Sequence, residues 1–444
     1  MTIKLRVITD SLLILALVFG LAVFGGLATQ AVSAGSPQTA SIPERVIVIF
    51  NHAINEDARA ALENAGGRVL KELPLVNGAV VLLPNEAAAS DIGTLAGVRS
   101  IEKDALVFAL KPPEGCTPWP DCKNGGGDGG STQPAEVLEW GVDRIDADLA
   151  WSASSTASRG TSVKVAVIDT GIDKDHADLT GNIKGGVNFV APNSGPPWTR
   201  VVDPEKWDDD NGHGTHVAGI VAAADNEIGV IGVAPEAHLW AVKVLDRNGS
   251  GYTSDVIDGI TWAMNNGMQV INMSLGTASD IQAMHDAVDA AYAAGVVIVA
   301  AAGNSGDGDG STNEVIYPAK YSSVIAVAAT DNNDLIAYFS SDGAEVELAA
   351  PGVSIRSTWN DGLYNTISGT SMASPHVAGA VALVLATAVQ SAYDVDVDGA
   401  WDPAEVRAAL QAAADDLGTA GHDNFYGYGL VDAEENVTGI QTNP

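Results

Sequence analysis

At 444 residues, with 46% hydrophobic side chains, the chain has room for two or three domains and is too apolar to remain disordered. Its formal net charge is −34, from 56 acidic against 22 basic residues. That balance excludes nucleic acid and anionic membranes as partners, because no basic stripe exists to neutralise phosphates. The acids are scattered rather than run together. Such a composition suits a surface adapted to high salt, and equally a secreted protein kept soluble and supplied with cation sites by its carboxylates.

In chain order, Lys4 and Arg6 precede an apolar stretch over 12–27, and Ala31-Val32-Ser33-Ala34 follows with small residues at cleavage spacing. This predicts a signal peptide over 1–34 and a secreted, extracellular product. The other outcome is an uncleaved membrane anchor, since the stretch is nearly long enough to span a bilayer. Residues 43–110 then read strand, helix, strand, strand, helix, strand: RVIVIF, a helix over 55–65, RVLKEL, GAVVLLP, a helix over 86–96, and VRSIEKDALVFAL. A small α+β module is expected here. Residues 111–135 are a glycine- and proline-rich linker. They hold the only two cysteines, Cys116 and Cys122, which fit export as a small disulfide loop or as two free thiols.

Over 136–440, apolar β-branched runs alternate with helical stretches: VKVAVI, LWAVKVL, a helix over 253–266, QVINMSL, a helix over 280–294, VVIVAAA and VIAVAA. The alternation predicts an α/β fold with a doubly wound, mostly parallel sheet. Three short blocks carry chemistry in it. VIDTG delivers Asp169 to the carboxyl end of a buried strand, where open α/β sheets place their sites. GHGTH and GTSMASP set His213 and Ser371 where small-residue turns meet helices. A serine hydroxyl needs an imidazole to take its proton, and the imidazole needs a carboxylate to fix its tautomer. Taken singly, these residues read as a turn former, a structural histidine and a helix cap. Three extended motifs in the order Asp, His, Ser rarely coincide by chance. A fourth block, AAGNSG, puts Asn304 in a polar turn after a strand.

With these four blocks, residues 136–436 resemble the subtilisin-like serine proteases, the subtilases. The resemblance implies a serine endopeptidase with Asp169, His213 and Ser371 as catalytic triad, and Asn304 with the Ser371 N–H as oxyanion donors. Residues 43–110 resemble the family's inhibitory propeptide, a ferredoxin-like module that assists folding and leaves its tail in the active site; by that analogy its junction falls after Leu110, the alternative being elsewhere in the linker that follows. Gly249, Ser250 and Gly251 match one wall that pairs with the substrate backbone, and Ser274, Leu275 and Gly276 the opposite wall. Recognition is then by main chain, and the cleaved sequence is loosely specified. Ile316 stands where the family often keeps a small residue at the base of the first specificity pocket, which makes that pocket shallower. Asp178, Asn226 and the carbonyls of Ala224, Ile228 and Val230 match the family's tight Ca²⁺ site, with Glu136 as a further ligand.

A second calcium signal stands without the family. Asp394-x-Asp396-x-Asp398-Gly399-x-x-Asp402-x-x-Glu405 follows the pattern of an EF-hand loop, whose glycine allows a sharp turn and whose last Glu binds with both oxygens. The segment GDGDGS, 306–311, reads as an ordinary loop. Together these features predict a secreted, self-processed zymogen of a broad-specificity endopeptidase, monomeric, with structural calcium and no redox cofactor or nucleotide. Its partners are protein or peptide substrates and its own propeptide. The rivals are a scaffold that has lost catalysis, which would lack a triad or oxyanion residue, and an esterase or acyl transferase using the same triad.

Overall fold

The computed structural model describes residues 44–110, 133–153, 157–192 and 196–440; the expected signal peptide, nearly all of the linker and both cysteines lie outside them. In the first module, β1 (Glu44–Phe50), α1 (Glu56–Asn64), β2 (Arg68–Leu73), β3 (Gly78–Leu83), α2 (Glu86–Gly93) and β4 (Val98–Lys103) follow one another. Their four strands pair antiparallel in the order β2-β3-β1-β4, the ferredoxin-like arrangement. Asn55 and Asn85 cap the two helices, accepting from the Ala58 and Ala88 N–H at 2.8 and 3.0 Å. Helix α2 stops short of the expected residue 96. The Thr94 hydroxyl turns back on the Asp91 carbonyl at 2.7 Å, and Gly97 takes a left-handed φ of +88°.

Strand β1 faces two cores. Val46, Val48 and Phe50 pack on Leu62 and Ile92 of the module's own helices. Ile47 and Ile49, on the opposite face, join Ile257, Ile260, Met284 and Val288. Those four belong to α6 (Thr253–Asn265) and α7 (Gln282–Ala293) of the larger body, named here ahead of their place in the chain. The module therefore lays one sheet face over two helices, and residues 42–444 cluster as one unit.

The chain continues through β5 (Leu106–Ala109), α3 (Trp140–Arg144), α4 (Ala147–Ser152), β6 (Lys164–Asp169), β7 (Ile183–Asn188), α5 (His213–Ala222), β8 (His238–Lys243) and β9 (Ser250–Tyr252). After α6 come β10 (Val270–Met273) and β11 (Leu275–Gly276), and after α7 come β12 (Val297–Ala301), β13 (Ile325–Thr330) and β14 (Val346–Pro351). The hairpin β15 (Ile355–Thr358) and β16 (Tyr364–Ile367) precedes α8 (Thr370–Leu385), α9 (Pro403–Ala413) and α10 (Ala433–Thr438). Seven strands form one parallel sheet in the order β14-β13-β12-β10-β6-β8-β7.

Both faces of this sheet are buried at its centre, so strands such as β6, β12 and β13 carry near-continuous apolar runs. In β6, Val165 and Val167 meet Val217 and Val377 from α5 and α8, while Ala166 and Ile168 face Ile257 and Ile260 of α6 on the other side. The fold is doubly wound, as expected. Its order reverses between β6 and β10, because the chain runs out to β8 and β7 and returns to the other side of β6. The crevice at the carboxyl ends of these two strands is the switch point where such sheets bind ligands. Among the described residues no helix is long and apolar enough to cross a membrane.

Candidate active site

Asp169 is the last residue of β6, fully buried, and His213 is the first of α5. The His213 Nδ1 lies 2.9 and 3.0 Å from the two Asp169 carboxylate oxygens. A carboxylate can only accept, so Nδ1 carries the hydrogen and Nε2 keeps its lone pair. Nε2 is buried and has no hydrogen-bond partner among the described residues. This approach depends on glycine. A Cβ on Gly214 would run into the Gly171 carbonyl and lie 3.1 Å from the Asp169 Cβ, so helix α5 can touch the strand end only without one. Asp209, which the motifs do not contain, fixes the helix start. One of its oxygens accepts from the Asn211 and Gly212 N–H and the other from the Thr215 N–H and hydroxyl.

Ser371 sits in the first turn of α8, which is moored to the end of β10. The Ser374 hydroxyl donates to Asn272 Oδ1 at 2.7 Å, and the Ser274 hydroxyl donates to the Ser371 carbonyl at 2.8 Å. Asn304 follows β12. Its Oδ1 accepts from both the N–H and the hydroxyl of Thr370, at 2.9 and 2.8 Å, which leaves Nδ2 pointing into the crevice. There Nδ2 donates to the Leu110 carbonyl at 3.0 Å. The Ser371 hydroxyl lies 3.0 Å from that same oxygen and 3.1 Å from the Ser274 carbonyl, the two acceptors within reach of its one hydrogen, and makes no bond to His213. A Cβ at Gly369 would stand 3.2 Å from Asn304 Nδ2 and 3.3 Å from the Leu110 oxygen, so any side chain there would crowd the donor pocket.

Leu110 reaches this point as the end of a strand. β5 lies between β9 and β11 in a three-stranded antiparallel sheet, with Phe108 opposite both Ser250 and Gly276, and Ala109 opposite Leu275. The Ala109 N–H donates to the Gly249 carbonyl at 2.9 Å and the Leu110 N–H to the Ser274 carbonyl at 3.4 Å. All six wall residues expected from sequence line this strand. The reason for their glycines differs from expectation. A Cβ on Gly251 would strike the Val244 carbonyl and one on Gly276 would strike Ile316, both on the body side. Only Gly249, at φ +72°, is cramped by the strand itself, 3.2 Å from the Ala109 Cβ. Ile316 thus presses on the wall at Gly276.

The acidic loops are more mixed. Asp178 is fully buried, which pushes its carboxyl up to about 6. It accepts from the Val230 N–H, the Tyr364 hydroxyl and the Asn226 amide at 3.0, 3.1 and 3.0 Å. The Asn226 oxygen meanwhile accepts from the Ile228 N–H, so it would face a cation only after the amide turns. One Glu136 oxygen accepts from both the Asn226 and Glu227 N–H, at 2.7 and 3.1 Å. Gln133 was missed by motif reading. Its Oε1 is buried without a partner among the described residues, and Pro134 carries it to this loop by accepting from the Gly229 N–H. An orphaned amide oxygen and a buried carboxylate on one loop system fit a hard cation.

In the second loop Asp394, Asp396 and Asp398 bring oxygens within 4.8 Å of one another. Asp402 and Glu405 depart from the EF-hand expectation. They form a capping box on α9, Asp402 accepting from the Glu405 N–H at 2.8 Å and Glu405 from the Asp402 N–H at 3.1 Å. The other Glu405 oxygen accepts from the Val395 N–H at 2.9 Å, so each oxygen already holds one main-chain donor.

The family model for the subtilase family matches residues 160–429. The chain is similar to subtilisin E of Bacillus subtilis, 38% identical over 424 residues that cover 95% of this chain and 97% of the relative. It is also similar to subtilisin DY of Bacillus licheniformis, 48% identical over 301 residues (68% of this chain, 98% of the relative), and to an alkaline protease of Shouchella clausii, 45% identical over 303 residues (68% and 70%). Spanning almost the whole of subtilisin E and carrying this crevice at its switch point, the chain belongs to the subtilase family and is a serine endopeptidase acting on proteins or peptides.

Proposed function

We propose that this chain is a secreted zymogen that cuts itself after Leu110 and is then held inactive by its own product. The observation that carries the reading is the Leu110 carbonyl oxygen, 3.0 Å from both the Ser371 hydroxyl and the Asn304 amide, at the end of a strand clamped by the two substrate walls. In the reaction the Ser371 hydroxyl turns to His213 Nε2, gives up its proton and attacks the Leu110 carbonyl carbon. Asp169 stabilises the imidazolium, and Asn304 with the Ser371 N–H receives the oxyanion. His213 then protonates the departing amine of Lys111, and water hydrolyses the acyl-enzyme by the same route in reverse roles. Other peptides follow the same path once residues 44–110 leave.

Calcium is proposed as a structural ion that supplies charge neutralisation and no chemical step. At the first site Asp178, Gln133, Asn226 and the carbonyls of Ala224, Ile228 and Val230 would hold it; at the second, Asp394, Asp396 and Asp398. The Ser371→Ala variant tests the reading. It should accumulate as full-length precursor, whereas the wild-type enzyme should begin at Lys111 by N-terminal sequencing. Cleavage at that bond by purified Ser371→Ala would overturn self-processing.

A further inference from the structure

The segment read from sequence as an ordinary glycine loop leaves the oxyanion residue Asn304 and returns at Ile316, the residue pressed against the substrate wall. Its return is tied to the stretch after Phe339. The Gly306 N–H donates to the Phe339 carbonyl, the Ser305 N–H to the Ser341 hydroxyl, and the Glu314 N–H to the Asp342 carbonyl, at 3.0, 3.1 and 3.0 Å. Below the loop, Asp307, Glu314 and Asp342 each bring one carboxylate oxygen within 4.8 Å of the others.

Asp342 is 1% exposed, and neither of its carboxylate oxygens has a hydrogen-bond partner among the described residues. One Glu314 oxygen is buried in the same condition. No Lys, Arg or His among the described residues forms an ion pair with any of the three. Burial, then the charge of Glu314 and the carboxyl–carboxyl hydrogen bond that a proton on this pair would make, then the charges of Asp307 and Asp309, push the Asp342 carboxyl up to about 6. Buried carboxylates left without donors are costly, and two things relieve them: a shared proton or a cation.

We infer that Asp307, Glu314 and Asp342 form a third divalent-cation site, best suited to calcium, which ties the 305–315 loop to the body beside the first specificity pocket. An all-oxygen set on both buried and exposed side chains suits a hard ion that completes its shell with water. Ca²⁺, with ligands about 2.3–2.6 Å away in variable number, tolerates such an uneven set more readily than Mg²⁺, which demands near-ideal octahedral geometry at about 2.0–2.1 Å. The site is separate from the two loops described above and does not depend on their calcium or on self-processing.

The test uses the full-length chain carrying Ser371→Ala, to prevent self-digestion, alone and with Asp342→Asn plus Glu314→Gln added. Equilibrium dialysis against calcium should give one fewer bound ion per chain in the triple variant. Amide exchange over 305–316 should slow at least 10-fold on adding calcium in the parent and not in the variant. Equal stoichiometry, with calcium-independent exchange in the parent, would overturn the site and leave the acids sharing a proton. If the triple variant does not fold by circular dichroism, Glu314→Gln alone, at a half-buried position, is judged by the same two readouts and the same outcomes.

Discussion

Replacing Asp104 by Ala in the full-length chain should release active enzyme sooner after self-cleavage. Asp104 follows β4 of the first module, and its side chain is fully buried against the larger body. It accepts from Arg45 Nε at 2.5 Å within the module, and across the interface from the Ser254 N–H at 2.9 Å and the Ser254 hydroxyl at 2.8 Å. That N–H lies in the first turn of α6, so the carboxylate caps a helix it does not belong to. A hydrogen bond to a charged acceptor contributes about 1.5–3 kcal/mol, and a negative charge at a helix start about 0.3–1 kcal/mol more. The bond from the buried Ser254 hydroxyl adds a further contribution of the same sign. Arg45 also keeps a 2.9 Å bond to Ser254 and lies 3.7 Å from Asp255, so its pairing is not all lost. Burial raises the carboxyl of Asp104 and offsets part of the gain. The net weakening is about 2–3 kcal/mol, or roughly 30- to 150-fold in module dissociation. Progress curves on a fluorogenic peptide should show the lag before activity shortened by that factor. A lag within 3-fold of wild type, matching an exposed Asp91→Ala control, would refute the reasoning.

Three further outcomes are expected. Thr370→Val removes the 2.8 Å bond that aims the Asn304 amide while sparing the Thr370 N–H; a loss of about 1–1.5 kcal/mol predicts kcat roughly 5- to 12-fold lower at unchanged KM. Asp432, buried among Asp146, Glu435 and Asp415, has its carboxyl pushed up to about 7, chiefly by burial. The folded chain therefore keeps a proton that the unfolded chain releases near pH 4, and this group's contribution to stability falls as pH rises from about 4 to 7. Asp432→Asn, which keeps an acceptor for the Glu435 N–H, should flatten the fall of thermal midpoint across that window; an unchanged slope counts against it. Chelation should lower the thermal midpoint by about 5 °C or more, and Gln133→Ala should make the midpoint less responsive to added calcium; melting indifferent to chelator would remove the calcium assignments.

Much of this arrangement was legible in the residues. The alternating cores of β6 and β1 follow from their apolar runs, and the Asp169, His213, Ser371 and Asn304 blocks each begin or end an element where the small residues predicted it. What escaped was set by distant partners. Strand β7 reads IKGGVN, and its glycines make room for Trp240 and Trp207 rather than signalling a strand. Strand β14, at the sheet edge, hides Glu347 in its middle, where Arg407 and Gln411 satisfy it. Asp209 and Thr370 act through small sets of hydrogen bonds, and Gln133 through one orphaned oxygen, none of which a local pattern encodes. At Glu405 the helix start and the loop pattern draw on the same carboxylate, and only the structure shows the capping box.

The acid, the imidazole and the alcohol come from β6, α5 and α8, and the oxyanion amide is aimed by a residue of α8 itself. A ribosome must therefore finish nearly the whole chain, and α8 must seat against β10, before any peptide bond is at risk. If the proposed zymogen reading holds, connectivity shields the producing cell during synthesis, and danger begins only when strand β5 already lies between β9 and β11.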